Sequence, residues 1–172
     1  MVNAAYAMSY PQPMTARIER LGPGDGERWR TIRLEALREA PYAFGTTYAD
    51  AVHWDAARWE QQVTKLATFV SVVDGHDVGV ARGAAQGNSN ERELISMWVA
   101  PSARRQNVGT LLIDSVVTWA RTEGAGVLVL EVVTTNAPAI ALYERAGFVR
   151  VPGEATAEGG ARELRLVRSL AT

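Results

Sequence analysis

The sequence predicts an α/β protein whose mixed sheet is mostly antiparallel, contains one parallel pair and is flanked by helices. A strand pattern at 93–99 is followed by a basic loop, a helical pattern at 107–123 and a second strand pattern at 126–133. A strand–helix–strand crossover makes its two strands parallel. Upstream, strand patterns at 67–73 and 78–85 are separated by the Asp-Gly turn of a hairpin, which predicts antiparallel pairing.

The first third of the chain supplies a short strand and two helices. Residues 15–21 show an apolar alternation that predicts a strand. The turn that follows contains Asp25, a candidate N-cap for a helix whose apolar stripe covers 29–37 and ends before a proline. A second short helix is expected at 55–63, with its tryptophan and valine facing inward.

A loop rich in aromatic residues is expected between these two helices, at 41–51. It carries Tyr42, Phe44 and Tyr48. Two interpretations stay open: the loop is a packed connection within the domain, or it is one wall of a substrate pocket. The segment 154–161 is the other candidate for shaping that pocket.

The last third of the chain continues the sheet. The strand at 126–133 is almost wholly apolar and β-branched, which is typical of a strand buried on both faces. Asn136 caps the next helix, a proline stands in its first turn, and Gly147 ends it. Further strands are expected at 148–151 and 163–167, with a flexible turn at 153–160 between them.

Composition and charge limit the classes of function. The 172 residues are 47% hydrophobic, which suits a single domain at 15–172 behind a flexible tail at 1–14. The net charge of −1 favours neither nucleic acid nor an anionic membrane as a partner. The absence of cysteine excludes disulfides and thiolate chemistry, and two histidines disfavour a histidine metal site. No apolar run reaches the ~20 residues of a membrane span, so we expect a cytoplasmic protein without a metal.

A phosphate-binding site is predicted where the basic loop meets the helix. Arg104 and Arg105 stand just before that helix. The first turn of a helix presents free backbone N–H groups and the positive end of a dipole. Because the chain as a whole is not basic, these two arginines suit a small anionic ligand better than a polyanion.

Two motifs around this loop resemble the signatures of the GNAT superfamily of acetyl-CoA-dependent N-acetyltransferases. RRQNVG matches at Arg104, Val108 and Gly109, and LEVVTTNAPAIALYERAGF matches at Asn136, Tyr143, Gly147 and Phe148. The second motif is also similar to the branch that acetylates the N-terminal alanine of a ribosomal protein. The resemblance covers 93–150 and implies the GNAT fold, in which the parallel pair forms a V-shaped cleft.

The resemblance implies acetyl-CoA as cosubstrate and names the residues that bind it. An N–H near Trp98 or Val99 would polarise the thioester carbonyl, while the Trp98 side chain is expected to pack in the core. Asn107 stands where the family usually has glycine; asparagine tolerates the left-handed conformation, so this departure affects cofactor affinity rather than loop shape. The expected cofactor-binding residues are Met97, Trp98, Val99, Arg104, Arg105, Gln106, Asn107, Val108, Gly109, Thr110 and Asn136.

Two residues are the candidate catalysts. By resemblance, Tyr143 donates a hydrogen bond to the departing thiolate; full proton transfer is not required, because a phenol is a weaker acid than a thiol. Glu131 interrupts an apolar strand, and by resemblance to the ribosomal-protein branch it takes the amine proton through water. We expect it to be partly buried, which suits a general base. Glu131 as a structural carboxylate, Glu93 as the base and Ser96 as a proton relay are the alternatives.

The predicted function is transfer of an acetyl group from acetyl-CoA to a primary amine, on a small molecule or a protein N-terminus, by direct attack in a ternary complex. The alternative is a catalytically silent acetyl-CoA-binding sensor or scaffold. No acidic cluster is apparent in the sequence, so polyamines and aminoglycosides rank below peptide N-termini and amino acids as acceptors. The sequence leaves a homodimer open.

Overall fold

The computed structural model describes residues 15–85, 90–152, 157–158 and 161–171. The expected flexible tail at 1–14 lies outside these residues. Most of the expected turn at 153–160, and with it most of the acceptor segment at 154–161, lies outside them as well.

Every helix and strand predicted from the sequence is present. The elements are β1 (Arg17–Leu21), α1 (Gly26–Glu39), α2 (Tyr48–Ala51), α3 (Ala56–Lys65), β2 (Ala67–Val73), β3 (His76–Ala85), β4 (Glu91–Val99), α4 (Val108–Thr122), β5 (Val127–Val133), α5 (Ala137–Arg145), β6 (Val149–Arg150), β7 (Ala157–Glu158) and β8 (Ala161–Ser169). The β2–β3 turn is shorter than expected, because only Asp74 and Gly75 stand outside the strands, both with positive φ.

The main sheet has the strand order β1-β2-β3-β4-β5-β8-β6. β4 and β5 are parallel, and the other neighbours are antiparallel, which confirms the predicted fold class. β8 returns between β5 and β6 and also pairs with the short β7. Because β8 pairs with β5 along all of Val127–Val133, β5 is held firmly on that side and only its other edge meets β4.

Helices cover the sheet on both faces, and each face has its own apolar core. One core lies under α4 and α5 and includes Leu112 and Leu128. The other lies under α1 and α3 and includes Trp29, Trp59 and Val80. Burial of each such side chain contributes roughly 1.5–3 kcal/mol, so the two cores together hold the sheet between the helices. Within the described residues, no helix is both long and apolar enough to cross a membrane.

The start of α1 is capped from α3 rather than by the predicted residue. The Glu60 carboxylate accepts hydrogen bonds from the backbone N–H groups of Gly24 at 2.7 Å and Gly26 at 3.0 Å. Asp25 occupies the N-cap position but makes no capping bond, and its side chain accepts from Gly22 N–H at 2.8 Å instead. The capping role predicted for Asp25 is wrong, because a carboxylate distant in sequence satisfies the helix terminus.

The aromatic segment at 41–51, predicted as a loop, contains regular secondary structure. Its second half forms α2, which begins where the Thr47 side chain caps it. Phe44 and Tyr48 pack against the core under α1, as the packed-connection interpretation predicts. Tyr42 is 63% exposed and lies on the surface.

α4 crosses the sheet through a close contact with β3. A Cβ atom at Gly83 would lie 2.1 Å from the ring of Trp119. Interiors packed as densely as organic crystals leave no room for such an atom. Glycine at this position therefore allows α4 to approach the sheet.

We expect Gly83→Ala to lower the free energy of unfolding by about 1–3 kcal/mol, the usual cost of overpacking a core. Urea unfolding of parent and variant measures the change. Gly45→Ala is the matched control, because a Cβ there meets no atom within 4 Å, and we expect its effect to stay within about 0.5 kcal/mol. Stability of Gly83→Ala equal to that of the control would contradict the close contact.

Candidate active site

The parallel pair comes apart soon after it begins. β4 and β5 pair first at Glu91 with Val127 and last at Glu93 with Val129. Leu94–Val99 therefore have no partner in β5, although their other edge is paired with β3. The result is a cleft at the carboxyl ends of the two strands, with unpaired backbone groups along its β4 side.

A β-bulge in β4 accompanies this separation. Between two registered pairs, a single residue of β3 faces both Ser96 and Met97. Ser96 has φ 54°, a left-handed conformation that is unusual for residues other than glycine. The bulge shifts the alternation of side chains, so that Met97 packs on the α4 side and Trp98 on the α1 side. Serine has no preference for this conformation, so the sequence carries no signal of the bulge.

Arg104 is tied to the protein framework. Its Nε donates to the Val99 carbonyl at 2.9 Å, and its Nη2 donates to Glu39 Oε2 at 2.7 Å. The same Glu39 oxygen accepts from Trp98 Nε1 at 2.9 Å. These bonds give the Arg104 side chain a structural role, and its contact with phosphate stays a prediction. Glu39 was missed from the sequence, because a glutamate in the last turn of a helix looks like an ordinary surface residue. Trp98 is 4% exposed, as expected of a core residue.

The loop between β4 and α4 has the left-handed geometry expected at Asn107. That residue has φ 65° and ψ 1°, and Arg105 also has a positive φ, 62°. Backbone N–H groups in such turns form concave anion-binding sites. The Arg105 side chain is exposed and forms no hydrogen bond or ion pair with another described residue. Its guanidinium is therefore open to contact with an anion.

The first turn of α4 completes the loop. The first hydrogen bond of the helix runs from the Leu111 N–H to the Asn107 carbonyl. The N–H groups of Val108, Gly109 and Thr110 therefore have no acceptor within the helix. A Cβ at Gly109 would lie 2.8 Å from Leu142 of α5. Glycine at this position allows α5 to pack against the start of α4.

Two other predicted cofactor residues make structural hydrogen bonds. Gln106 Nε2 donates to the Ser102 carbonyl at 2.8 Å. Asn136 Oδ1 accepts from Ala139 N–H at 3.3 Å and caps α5, as predicted. These bonds orient both side chains, and a contact of either one with the cofactor stays a prediction.

Tyr143 lies on α5 near the start of α4, since the preceding residue, Leu142, packs against Gly109. Tyr143 is 6% exposed, and its ring meets Phe148 edge to face, with centroids 5.9 Å apart. Burial raises the pKa of the Tyr143 phenol well above its ordinary value, so the proton stays on the oxygen at neutral pH. No side chain among the described residues accepts a hydrogen bond from this hydroxyl.

Glu131 is exposed, so the expected partial burial is wrong. It lies beyond the last paired position of β4 and β5, where no neighbouring strand covers it on that side. Its partner across β8 is Arg165, which forms an ion pair with Glu91 at 3.3 Å. Glu131 forms no ion pair with a described residue, and the structural-carboxylate alternative gains no support. Glu93, the alternative base, is partly buried at the end of the paired region.

The register of the sheet brings acidic residues together on one face. Paired residues, and alternate residues along a strand, project from the same side of a sheet. This acidic face, spanning β4, β5 and β8, carries Glu91, Glu93, Glu131 and Glu163 with a single arginine, Arg165. This face is not apparent in the sequence, because its residues are distant in sequence and share one side of the sheet only through strand pairing.

A cleft between parted parallel strands, a left-handed loop before a helix N-terminus and a buried tyrosine near it are the arrangement that the resemblance to acetyl-CoA-dependent acyltransferases implies. Residues 29–148 match the model of the Acetyltransferase (GNAT) family, and the chain belongs to that family. The predicted family and enzyme class are confirmed, and acetyl-CoA is the acetyl donor that the family uses.

Known relatives match parts of the chain. Streptothricin acetyltransferase of Streptomyces lavendulae is 39% identical over 82 residues, 47% of this chain and 43% of that protein. The ribosomal protein bS18 alanine N-acetyltransferase of Escherichia coli K12 is 39% identical over 59 residues, 34% of this chain and 40% of that protein. The chain thus spans less than half the length of these curated relatives. A GNAT acetyltransferase from Streptococcus pneumoniae has the same fold, with a TM-score of 0.78 at 18% identity over 91% of this chain and 100% of that one.

We expect Asn107→Val to weaken acetyl-CoA binding about tenfold, because a β-branched residue in the left-handed region costs roughly 1–2 kcal/mol and distorts the loop. Isothermal titration with acetyl-CoA measures the affinity. Asn107→Gly is the control; glycine adopts this conformation without strain, so its affinity should equal or exceed that of the parent. Unchanged binding by the valine variant would show that the left-handed turn is dispensable.

Proposed function

We propose that this chain transfers the acetyl group of acetyl-CoA to a primary amine by direct attack within a ternary complex. The observation that carries the proposal is the separation of β4 from β5 after Glu93 and Val129. It creates a cleft with unpaired backbone on one side and the exposed carboxylate of Glu131 on the other. Donor and acceptor can then meet between the strands without a covalent enzyme intermediate.

In this proposal, backbone groups make most of the contacts that bind the cofactor. The amides of the loop and of the first turn of α4 bind the pyrophosphate, and Arg105 adds a charge-assisted contact. The free edge at Met97–Val99 bonds the pantetheine arm as a neighbouring strand would. One N–H of this edge polarises the thioester carbonyl, and a single such donor contributes about 3 kcal/mol to catalysis.

Glu131 removes a proton from the acceptor amine. An amine that arrives as an ammonium ion has no lone pair for attack, so it must first lose a proton. An exposed carboxylate in contact with water takes that proton through a bridging water molecule. The nitrogen then forms its bond to the acetyl carbon, and the carbon–sulfur bond breaks.

Tyr143 assists the leaving group. The thioester sulfur departs as a thiolate, and the phenol donates a hydrogen bond to it. Because burial keeps the pKa of Tyr143 high, the phenol keeps its own proton and stabilises the negative charge as a neutral donor. The acetylated nitrogen then releases its second proton, and water carries that proton to the thiolate, which leaves as the free thiol.

We favour an acceptor that carries more than one positive charge. The acidic face holds four carboxylates and one guanidinium, and a surface of one sign attracts and orients ligands of the other sign. By their names, one relative acts on streptothricin and another on an alanine of ribosomal protein bS18. The acidic face favours a polycationic small molecule over a peptide whose single positive charge is its N-terminus.

We expect the protein to release free thiol from acetyl-CoA in a screen that contains spermidine, lysinamide and an alanine-initiated peptide, with the polycation as the best substrate. Tyr143→Phe should lower kcat on the order of 10²-fold, since it removes one donor to the developing charge. Calorimetry should show unchanged affinity of this variant for acetyl-CoA.

The control for this substitution is Tyr42→Phe, which removes the hydroxyl of a tyrosine that is 63% exposed and should leave kcat unchanged. Binding of acetyl-CoA without thiol release from any amine would instead establish the silent sensor. A kcat of Tyr143→Phe equal to that of the parent would remove the tyrosine from the mechanism.

We expect Glu131→Gln to slow transfer strongly near pH 7 and only slightly near pH 10. At high pH the acceptor amine, with a pKa of about 10.4 for a lysine-type group, already has a substantial neutral fraction and needs no base. The pH profile of kcat/KM measures the difference. Glu35→Gln changes an exposed carboxylate on α1 and serves as control. A constant ratio of variant to parent rate across this range would exclude Glu131 as the base.

A further inference from the structure

Two arginines are buried on the α1 side of the sheet, and the described residues supply no carboxylate for either of them. Arg33 of α1 is 8% exposed, and Arg82 of β3 is 4% exposed. Neither takes part in an ion pair within the described part of the chain. Both guanidinium groups lie against the same indole ring, that of Trp29, at 5.8 Å and 4.4 Å from its centroid.

The hydrogen bonds of Arg82 go to neutral oxygen atoms. Its Nε donates to Thr68 Oγ1 at 3.0 Å, its Nη2 to the Gln62 carbonyl at 2.6 Å and its Nη1 to Gln62 Oε1 at 3.3 Å. These bonds satisfy the donors but leave the positive charge uncompensated. A buried charge is costly unless an opposite charge is close by.

Arg33 lacks even those partners. Its guanidinium stacks on the ring of Phe44, 4.3 Å from the centroid, and its buried Nη1 has no hydrogen-bond acceptor among the described residues. The buried Nε1 of Trp59, whose ring packs edge to face on Trp29, likewise has no acceptor in that part of the chain. Burial lowers the pKa of each arginine to about 10, and Arg33 contributes to the shift of Arg82. Both therefore remain cationic at neutral pH.

We propose that these side chains form a buried site for a small carboxylate-sized anion, bound by Arg33 Nη1 and stabilised by the charge of Arg82. An anion supplies the acceptor atoms and the negative charge that the cluster lacks, whereas a water molecule supplies no charge. The ligand has two sources: a free anion from solution, or a carboxylate on the amine acceptor. The second source is open because Arg82 pairs in register with Ile95 of β4, which is one of the strands that line the cleft.

The test is calorimetric titration of the protein with sodium formate in the absence of acetyl-CoA, so it does not depend on catalysis. We expect saturable binding by the parent and at least about tenfold weaker binding by Arg33→Met, the loss that follows from one charge-assisted hydrogen bond. Arg38→Met is the matched control, because Arg38 lies on the same helix and stacks on Tyr48 at 4.7 Å but is exposed. It should bind formate as the parent does.

Absence of saturable formate binding by the parent overturns the proposal, whatever the variants do, and so does equal binding by Arg33→Met. Titrations with glycine and glycinamide distinguish the two sources. Glycine that binds at least tenfold more tightly than formate, and only when Arg33 is present, assigns the site to the carboxylate of an acceptor. Glycine that binds no better than formate assigns it to a free anion. Glycinamide has no carboxylate and should not bind at the site.

Discussion

The separation of β4 from β5 is the constraint on which the rest of the molecule depends. Strand pairing provides hydrogen-bond partners for backbone N–H and C=O groups. Because the parallel pair stops after Glu93, the backbone of Leu94–Val99 has no such partners in β5. The fold compensates on either side: β3 holds the outer edge of β4, and β8 holds β5 along its whole length. The open edge then has backbone groups with which a ligand can form hydrogen bonds, and the proposed cofactor binding rests on this edge.

Glu39 connects α1 to the end of β4 and to the loop that follows β4. One of its oxygens accepts from Trp98 in the bulged strand and from Arg104 in the anion-binding loop. Its own helix, α1, lies on the opposite face from α4. The carboxylate therefore fixes the end of β4 relative to the loop that follows it. Two donors on one oxygen, one of them charged, make a stronger restraint than either alone. A small displacement of α1 would change the loop geometry without any direct contact with the cofactor.

The sequence predicts what depends on local order and misses what depends on strand register. Helix periodicity, the cap at Asn136 and the left-handed residue at Asn107 are local properties, and the structure agrees with each. The roles of Glu39 and of the acidic face depend on contacts with residues that are distant in sequence, so no local motif predicts them. Glu131 was expected to be partly buried because apolar neighbours surround it in sequence. The pairing of β4 with β5 ends before it reaches Glu131, and a bulge at Ser96, a serine with no preference for it, accompanies the separation.

Charge is divided between the two sides of the cleft in a way that bears on the proposed chemistry. In the proposed ternary complex, the loop and the helix N-terminus attract the phosphates of the donor, and the acidic face attracts a cationic acceptor. Yet the same carboxylates that attract an ammonium ion also stabilise its protonated, unreactive form. A site that recruits cations therefore needs one place where the proton can leave. Glu131 differs from the other three glutamates in being exposed beyond the paired region, in contact with water. Recruitment and deprotonation can then be carried by different carboxylates of one face, which resolves the conflict between the two tasks.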